Sequence, residues 1–170
     1  AIDYIIDHDP LTGAKKWPAW LAETERQVLY ARGNGKPLCM LALEIDPIKE
    51  LLLYGAMFTD FALRRAAQAI RQNLPLDAVV GHESPGHFGI LLPGVDVGGA
   101  LGVGRRLCAE LAAQPFSSMG ETVSLTVSVG VATLYRTTGG EELVEDSRAA
   151  LTRAKTAGGN SVRGPQEVAA

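Results

Sequence analysis

The sequence predicts an α+β sandwich, in which a central, mainly antiparallel sheet carries helices on its faces. Segments with helical apolar spacing alternate with short apolar segments, and two of the predicted strands flank a tight turn to form a central hairpin. Apolar residues make up 46% of the 170 residues, which is enough for a sizeable buried core. The predicted order is helix, strand, helix, hairpin, helix, strand, helix.

The first half of the chain contributes two helices and a buried strand. Residues 17–32 favour helix and are stopped by a glycine-rich turn, and residues 38–45 are so continuously apolar that a buried strand is expected. After Pro47 and the Tyr54-Gly55 turn, apolar residues from Phe58 to Ile70 recur at helical spacing. Pro75 ends that helix.

The second half begins with the hairpin. Strands are expected over residues 77–82 and 88–92, around the turn 83–86. An amphipathic helix follows over residues 97–111. Residues 122–131 alternate between polar and valine-rich positions and predict one strand. A last helix at residues 143–154 ends at Gly158-Gly159, and a short strand at 161–163 follows.

Composition excludes several classes of partner. The net charge of −3 gives no general attraction to nucleic acid or anionic lipid.

Cys39 and Cys108 are expected to be buried thiols in a reducing compartment. No signal peptide or apolar run long enough to span a bilayer is found. The sequence therefore predicts a cytoplasmic domain without direct membrane insertion, free or tethered to a membrane protein through other segments. The absence of an initiator Met suggests a fragment of a longer protein.

Several strings, in their order and spacing, resemble those of GGDEF (diguanylate cyclase-like) domains. The resemblance implies a fold related to the palm of nucleotide cyclases. It implies an N-terminal linker or end of a signalling helix over residues 1–8, the domain over 9–163 and a frayed tail over 164–170. The strings that carry it are Asp9-Pro10-Leu11-Thr12-Gly13, Glu44-Ile45-Asp46-Pro47-Ile48-Lys49, Phe88-Gly89-Ile90-Leu91-Leu92-Pro93, Leu125-Thr126-Val127-Ser128-Val129-Gly130 and Ala150-Leu151-Thr152-Arg153-Ala154-Lys155.

In that family, two GTP molecules are joined into cyclic di-GMP, with metal ions held by carboxylates. The resemblance places the first metal ligand at Glu44 and puts His87 where the signature loop has its Glu. A neutral imidazole is a poor Mg²⁺ ligand, and proline in place of a loop glycine fixes φ and removes an N–H. We therefore expect a degenerate, non-catalytic domain without a cofactor, and its altered signature loop is Ser84, Pro85, Gly86, His87 and Phe88.

Three residual positions match nucleotide-binding residues of the family, namely Lys49, Asp60 and Lys155. Other positions have changed. Residues 51–53 are all leucine where guanine would be read, so these leucines are either core or an exposed patch suited to a partner protein. Gly159 replaces an Arg, and Leu74 replaces the Arg of the inhibitory R-x-x-D motif.

Alternatives remain open at the site and for the function. Glu44 and His87 could hold a transition metal ion such as Zn²⁺ or Mn²⁺, or His87 could be a half-exposed hairpin residue. Trp17 and Trp20 are expected to pack the first helix. The leading hypothesis is a module for protein–protein interaction, dimerisation or relay, whose partners are other domains of a longer protein or a separate protein. The others are a receptor for GTP or cyclic di-GMP and an enzyme of altered chemistry.

Overall fold

The computed structural model describes residues 2–118, 120–135 and 139–166. Its elements follow the predicted order, with several short additions. The helices are α1 (Ile2–Asp7), α2 (Trp17–Asn34), α3 (Ile48–Leu52), α4 (Ala56–Gln72), α5 (Val97–Ala112) and α6 (Gly140–Thr156). The strands are β1 (Lys15–Lys16), β2 (Leu38–Ile45), β3 (Val79–Ser84), β4 (His87–Pro93), β5 (Phe116–Ser118), β6 (Glu121–Val123), β7 (Val127–Thr133) and β8 (Val162–Arg163).

One six-stranded sheet organises the fold, in the order β1-β3-β4-β2-β7-β8. The four central strands are antiparallel to one another, and the short edge strands β1 and β8 pair in parallel with β3 and β7. Strands β5 and β6 form a separate antiparallel pair. The predicted mixed α+β architecture with a mainly antiparallel sheet is confirmed.

Side chains alternate across β2 and so supply two cores, one on each face of the sheet. Leu41 and Leu43 belong to the larger core, which includes apolar residues of α4 and α5. Met40 belongs to the smaller core, with Trp20 of α2 and Leu143 of α6. Glu44 follows Leu43 in the strand and therefore lies on the α2–α6 face.

Helix α6 lies unusually close to the sheet at Gly130 of β7. A Cβ atom built on Gly130 would lie 2.1 Å from the amide nitrogen of Leu151 and 2.2 Å from the carbonyl oxygen of Ser147. Both atoms belong to helix backbone, which cannot move aside as a side chain can. Glycine at this position therefore sets the distance between α6 and the sheet.

The predicted strand at residues 122–131 is wrong as a single element. It is divided into β6 and β7, and the connection carries Leu125, which is only 3% exposed. The backbone carbonyl of Thr126 in this connection accepts a hydrogen bond from Asp46 N at 2.9 Å. A polar and apolar alternation cannot distinguish one long strand from two strands whose backbone pairs with different partners.

The leucine run forms part of a short helix, and the segment after β8 keeps a contact with α6. Residues 48–52 form α3, in which Leu51 is buried while Leu52 is 52% exposed; Leu53 beyond it is 86% exposed. Of the predicted tail, residues 164–166 are described, and Arg153 Nη2 donates to the carbonyl of Gly164 at 2.8 Å. Residues 167–170 lie outside the described part. No helix within the described ranges is long and apolar enough to cross a membrane.

Candidate functional site

Glu44 lies at the centre of the candidate site, near the end of β2. It pairs with His87 of β4 on one side and with Ser128 of β7 on the other. Its side chain is only 7% exposed, so its charge is largely removed from bulk water. A buried carboxylate needs a compensating partner.

Lys155 of α6 provides that partner. Its Nζ lies 2.5 Å from Glu44 Oε2, while His87 Nε2 lies 3.5 Å from Oε1. Oε2 accepts no well-directed hydrogen bond from the described residues, so the contact with Lys155 is an ion pair of poor hydrogen-bond geometry. The charge attraction depends mainly on distance and therefore persists. Thus Glu44, His87 and Lys155, named from the sequence, do come together.

The hairpin beside Glu44 has a two-residue turn, Pro85-Gly86, closed by the pairing of Ser84 with His87. Gly86 has φ +79°, and proline followed by a glycine with positive φ is typical of a type II turn. The register shifts between His82 and Ser84, which leaves Glu83 as an extra residue in β3. The altered signature loop is therefore a short hairpin with a tight turn and a bulge in β3.

The tip of this hairpin packs against the start of α3. A Cβ atom on Gly86 would lie 2.7 Å from Ile48 Cγ1, and the Gly86 carbonyl accepts a hydrogen bond from Ile45 N at 2.9 Å. Gly86 thus uses its carbonyl within the fold, and Pro85 offers no N–H. Proline in the turn therefore leaves the tip with one backbone donor fewer for an anionic ligand.

A cavity of about 370 Å³ extends from Glu44 and Lys155 beneath α2 and α6. One wall is Trp20, whose Nε1 donates to the Val79 carbonyl at 2.9 Å, and Trp17 stacks on it with ring centroids 4.5 Å apart. Arg148 lies over the Trp17 ring and forms an ion pair with Glu83 of the hairpin. Both tryptophans have the packing role expected of them.

The other two residual nucleotide-site positions lie elsewhere. Lys49 is exposed on α3 and Asp60 is exposed on α4, and neither lines the cavity that contains Lys155. The structure thus brings only one of the three residual positions, Lys155, to the cavity with Glu44 and His87.

Asp46 is a site residue to which sequence reasoning assigned no role. Its carboxylate accepts hydrogen bonds from Thr126 Oγ1 at 2.7 Å, Ser128 Oγ at 2.5 Å and the Asn160 amide at 2.9 Å. These bonds join the end of β2 to β7 and to the turn after α6. Gly159 packs here, because a Cβ atom on it would lie 3.1 Å from Asp46 Cγ. The sequence signals were the place of Asp46 within the string Glu44–Lys49 and the two hydroxyl residues Thr126 and Ser128.

Asp9 and His82 form a second polar cluster, on the other side of the hairpin. Asp9 Oδ2 accepts from Thr12 Oγ1 at 2.7 Å, and His82 Nδ1 lies 3.1 Å away. Burial raises the pKa of the Asp9 carboxyl, but hydrogen bonds from Thr12 and the nearby His82 bring the pKa below its ordinary value. His82 also stacks on Phe88, with ring centroids 5.0 Å apart. The cluster anchors the loop before α2 to the hairpin.

The arginines near the position of the family's inhibitory motif, which this sequence lacks, form hydrogen bonds within the fold. Arg71 Nη1 donates to the Thr12 carbonyl, and Arg106 Nε donates to Asn73 Oδ1 at 3.1 Å. Leu74, where the family has an Arg, is partly buried, whereas Asp77 is exposed. These contacts turn both arginines toward protein groups.

Both cysteines are free and buried, as the sequence predicts. Burial raises the pKa of the Cys39 thiol and raises that of Cys108 to about 11. Cys108 Sγ also donates to the Val127 carbonyl at 3.4 Å. Neither thiol is suited to nucleophilic or metal-ligand chemistry.

The donor set does not fit the pair of metal ions that the family's chemistry uses. The groups that contact the Glu44 carboxylate are one imidazole and one ammonium group, and the carboxylate of Glu83, which also lines the cavity, is paired with Arg148. Within the described ranges, no group of three or more His, Cys, Asp or Glu side chains is arranged to hold a metal ion. Two hard divalent cations call for several oxygen ligands at one point.

Comparison with known proteins agrees with the fold described above. The family model described as "Diguanylate cyclase, GGDEF domain" matches residues 6–161. Diguanylate cyclase DgcP of Pseudomonas aeruginosa is 31% identical over 151 residues, covering 88% of this chain and 22% of DgcP. Diguanylate cyclase DosC of Escherichia coli is 26% identical over 140 residues, covering 81% of this chain and 30% of DosC. The chain thus spans less than a third of these curated relatives.

Solved structures show the same fold. The GGDEF domain of DgcB from Caulobacter crescentus, in complex with c-di-GMP, superposes with a TM-score of 0.90 at 22% identity, covering 95% of this chain and 94% of that one. The FimX GGDEF domain from Pseudomonas aeruginosa gives 0.87 at 22% identity, covering 92% and 98%. Because the family match extends over nearly the whole chain and the sheet and hairpin agree with it, this chain belongs to the GGDEF domain family.

Proposed function

We propose that this chain is a catalytically inactive GGDEF module that serves protein–protein interaction, dimerisation or relay within a larger signalling protein. The observation that carries the proposal is the state of Glu44, whose charge is balanced by Lys155 at 2.5 Å and whose other neighbour is an imidazole. A cyclase site needs carboxylate charge to be free for metal ions. Here that charge is already balanced by the protein itself.

The hairpin supports the same conclusion. Pro85 lacks an amide N–H, so the turn has one backbone donor fewer than a pair of glycines would supply. A triphosphate needs backbone donors or positive side chains at close range. Lys155 is the one residual position of the three that lies at the cavity, and it is paired with Glu44. The site therefore offers little to hold and activate GTP.

The surface of α3 and α4 supports a role in protein interaction. Around the junction of the two helices, four large apolar side chains are exposed, with exposed fractions of 52% for Leu52, 86% for Leu53, 49% for Tyr54 and 76% for Met57. They lie close in sequence, at the end of α3 and the start of α4. Several exposed large apolar side chains within one short segment are typical of an interaction site. We name these four residues the α3–α4 patch.

The catalytic half of the proposal is tested by incubating the purified chain with GTP and either Mg²⁺ or Mn²⁺. Cyclic di-GMP is then measured by mass spectrometry, with DgcP of Pseudomonas aeruginosa as the positive control. We expect no product. Product that is formed by the wild-type chain and lost in Glu44→Gln would refute inactivity, because the loss would assign the turnover to this site and exclude contamination.

The interaction half is tested by sedimentation over a range of protein concentrations, with Leu53→Asp and Met57→Asp variants. If the chain self-associates through the α3–α4 patch, both variants shift the equilibrium toward monomer. Leu76→Asp is the matched control, because Leu76 is 101% exposed and lies outside the patch. Equal association of all variants would remove the patch as the dimerisation surface.

A second candidate function is a receptor that binds a nucleotide without turning it over. The observation in its favour is that Lys155 is 48% exposed at the cavity of about 370 Å³ and could exchange Glu44 for a phosphate. Calorimetry with millimolar GTP, ATP or cyclic di-GMP tests this function, with Lys155→Met as the control. No heat with any of the three nucleotides would eliminate it.

We also propose a cytoplasmic location. The two free, buried thiols support it, because unpaired cysteines are typical of proteins that function in a reducing compartment. Fractionation of cells that express the complete protein would test the location, with the domain detected by a specific antibody.

A further inference from the structure

A groove between α2 and α6 lies on the same face of the fold as the cavity but opens on its outer side. The two helices run antiparallel here, since Gly140 lies against Thr24 and Glu25 while Arg148 lies over Trp17. The groove has a volume of about 480 Å³. Eight residues of helix separate Trp17 from Glu25, so its length is roughly 12 Å.

The walls of the groove are apolar. Trp17 and Leu21 line it from α2 and Val144 lines it from α6. Leu21 is 37% exposed, and the other two are partly exposed. Positions 17 and 21 are one helical turn apart and therefore share a face. The groove thus matches an apolar ridge of about two helical turns.

The rim of the groove is acidic. Glu25 lies on one side and Glu141 and Glu145 lie on the other, and all three are exposed. None of these carboxylates has a salt-bridge partner among residues 2–118, 120–135 and 139–166. Arg148, at one end of the groove, already pairs with Glu83. The rim therefore carries three negative charges that no described cation balances.

Helix electrostatics explains only part of this pattern. Glu141 lies in the first turn of α6, where a carboxylate is favoured by the helix dipole, and Glu25 lies against the start of the same helix. Glu145 is one turn further along, where that effect has faded. A merely solvated acidic face would be polar throughout, whereas here apolar side chains lie between the two acidic sides of the groove.

We propose that the α2–α6 groove docks a short amphipathic helix of a partner protein, with two apolar anchors one turn apart and lysine or arginine on its flanks. Charge complementarity selects this occupant, because an acidic or neutral segment would leave the three carboxylates unpaired. The inference rests on the proposed interaction role but uses a surface separate from the α3–α4 patch.

The probe is a fluorescent twelve-residue helical peptide with leucines at positions 4 and 8 and lysines on both flanks. Binding to the whole chain is followed by anisotropy, and the contact surface is mapped by amide chemical shifts in NMR. We expect shifts confined to α2 and α6. Glu25→Lys/Glu145→Lys should weaken binding roughly tenfold or more, because attraction becomes repulsion at two positions. Leu21→Ser should weaken it as well.

Matched control variants show whether weaker binding comes from the charge of the groove or from a change of charge anywhere on the surface. Glu121→Lys, an exposed acidic residue on β6, should leave binding unchanged, as should Leu76→Ser. A peptide with glutamate flanks should bind at least tenfold more weakly, and about 0.5 M salt should weaken the lysine peptide strongly.

Several outcomes would overturn the proposal: no binding of the lysine peptide, equal binding by the doubly reversed variant, or chemical shifts at the α3–α4 patch instead of the groove. Concentration-dependent shifts in α2 and α6 without peptide would make a second copy of this chain the occupant, and would also overturn it. The proposed function would fail in different experiments. Either cyclic di-GMP would be produced, or the α3–α4 patch variants would associate to the same extent as the wild-type chain.

Discussion

Replacing Lys155 by Met tests directly whether this lysine compensates the buried Glu44. Methionine keeps an unbranched side chain of similar length but removes the ammonium group that lies 2.5 Å from Glu44 Oε2. Glu44 would then keep only His87, 3.5 Å from Oε1, as a nearby partner. The carboxylate stays 7% exposed, so water replaces little of the lost interaction.

The expected loss of stability lies between two limits. Removing one partner of a fully buried ion pair costs about 3–5 kcal/mol, whereas an exposed pair contributes about 0–1 kcal/mol. Glu44 is buried but Lys155 is 48% exposed, so we expect Lys155→Met to lower the free energy of unfolding by about 1–3 kcal/mol. Adding Glu44→Gln removes the uncompensated charge and should recover at least half of that loss.

Urea unfolding provides the assay, and tryptophan fluorescence reports it because Trp20 is fully buried and Trp17 stacks on it. The control is Lys49→Met, at an exposed position outside the cavity, which should change stability by no more than about 0.5 kcal/mol. The reasoning is refuted if Lys155→Met is as stable as that control. It is equally refuted if the double variant is no more stable than Lys155→Met alone.

Three further predictions concern the rest of the fold. Gly130→Ala should destabilise the chain by about 2 kcal/mol or more in the same urea assay, because the new methyl meets the backbone of Leu151; Gly102→Ala, where a Cβ meets nothing within 4 Å, is the control. Because the pKa of Asp9 is lowered in the folded chain, its contribution to stability is present above the ordinary value of 3.8 and is lost as pH falls through the folded pKa. Asp9→Asn should therefore lose less stability than wild type between about pH 5 and about pH 2 in urea titrations, and an unchanged pH profile would contradict this. Cys108, with its thiol pKa raised to about 11, should react with iodoacetamide at pH 8 much more slowly in the native chain than in the urea-unfolded chain, and equal rates would be inconsistent with its burial.

The order of the main elements could be predicted from the sequence because the signals are local. Seven apolar residues among the eight from Leu38 to Ile45 predicted β2, helical spacing from Phe58 to Ile70 predicted α4, and a Pro-Gly turn between two apolar segments predicted the hairpin. Where pairing rather than periodicity decides, prediction was wrong. The segment 122–131 became two strands because β6 pairs with the nearby β5, whereas β7 pairs with β2, which is far away in the chain.

The candidate site was partly predictable for the same reason. The order of the motifs matched Glu44, His87 and Lys155 to site positions of the family. In the structure, His87 and Lys155 both lie against the carboxylate of Glu44. It could not be predicted that Lys155 is paired with the carboxylate, nor that Lys49 and Asp60 lie outside that cavity. Those facts depend on the direction in which α3, α4 and α6 leave the sheet.

The sequence by itself determined the fold class, the family and the chemical character of the altered signature loop. Those depend on residue type, spacing and local backbone preference, which a linear string contains. Only the tertiary structure decided the ion pair of Glu44, the three hydrogen bonds that hold Asp46 and the acidic α2–α6 groove. Each of these joins residues that are distant in the chain, so its energy exists only after the sheet and helices have packed.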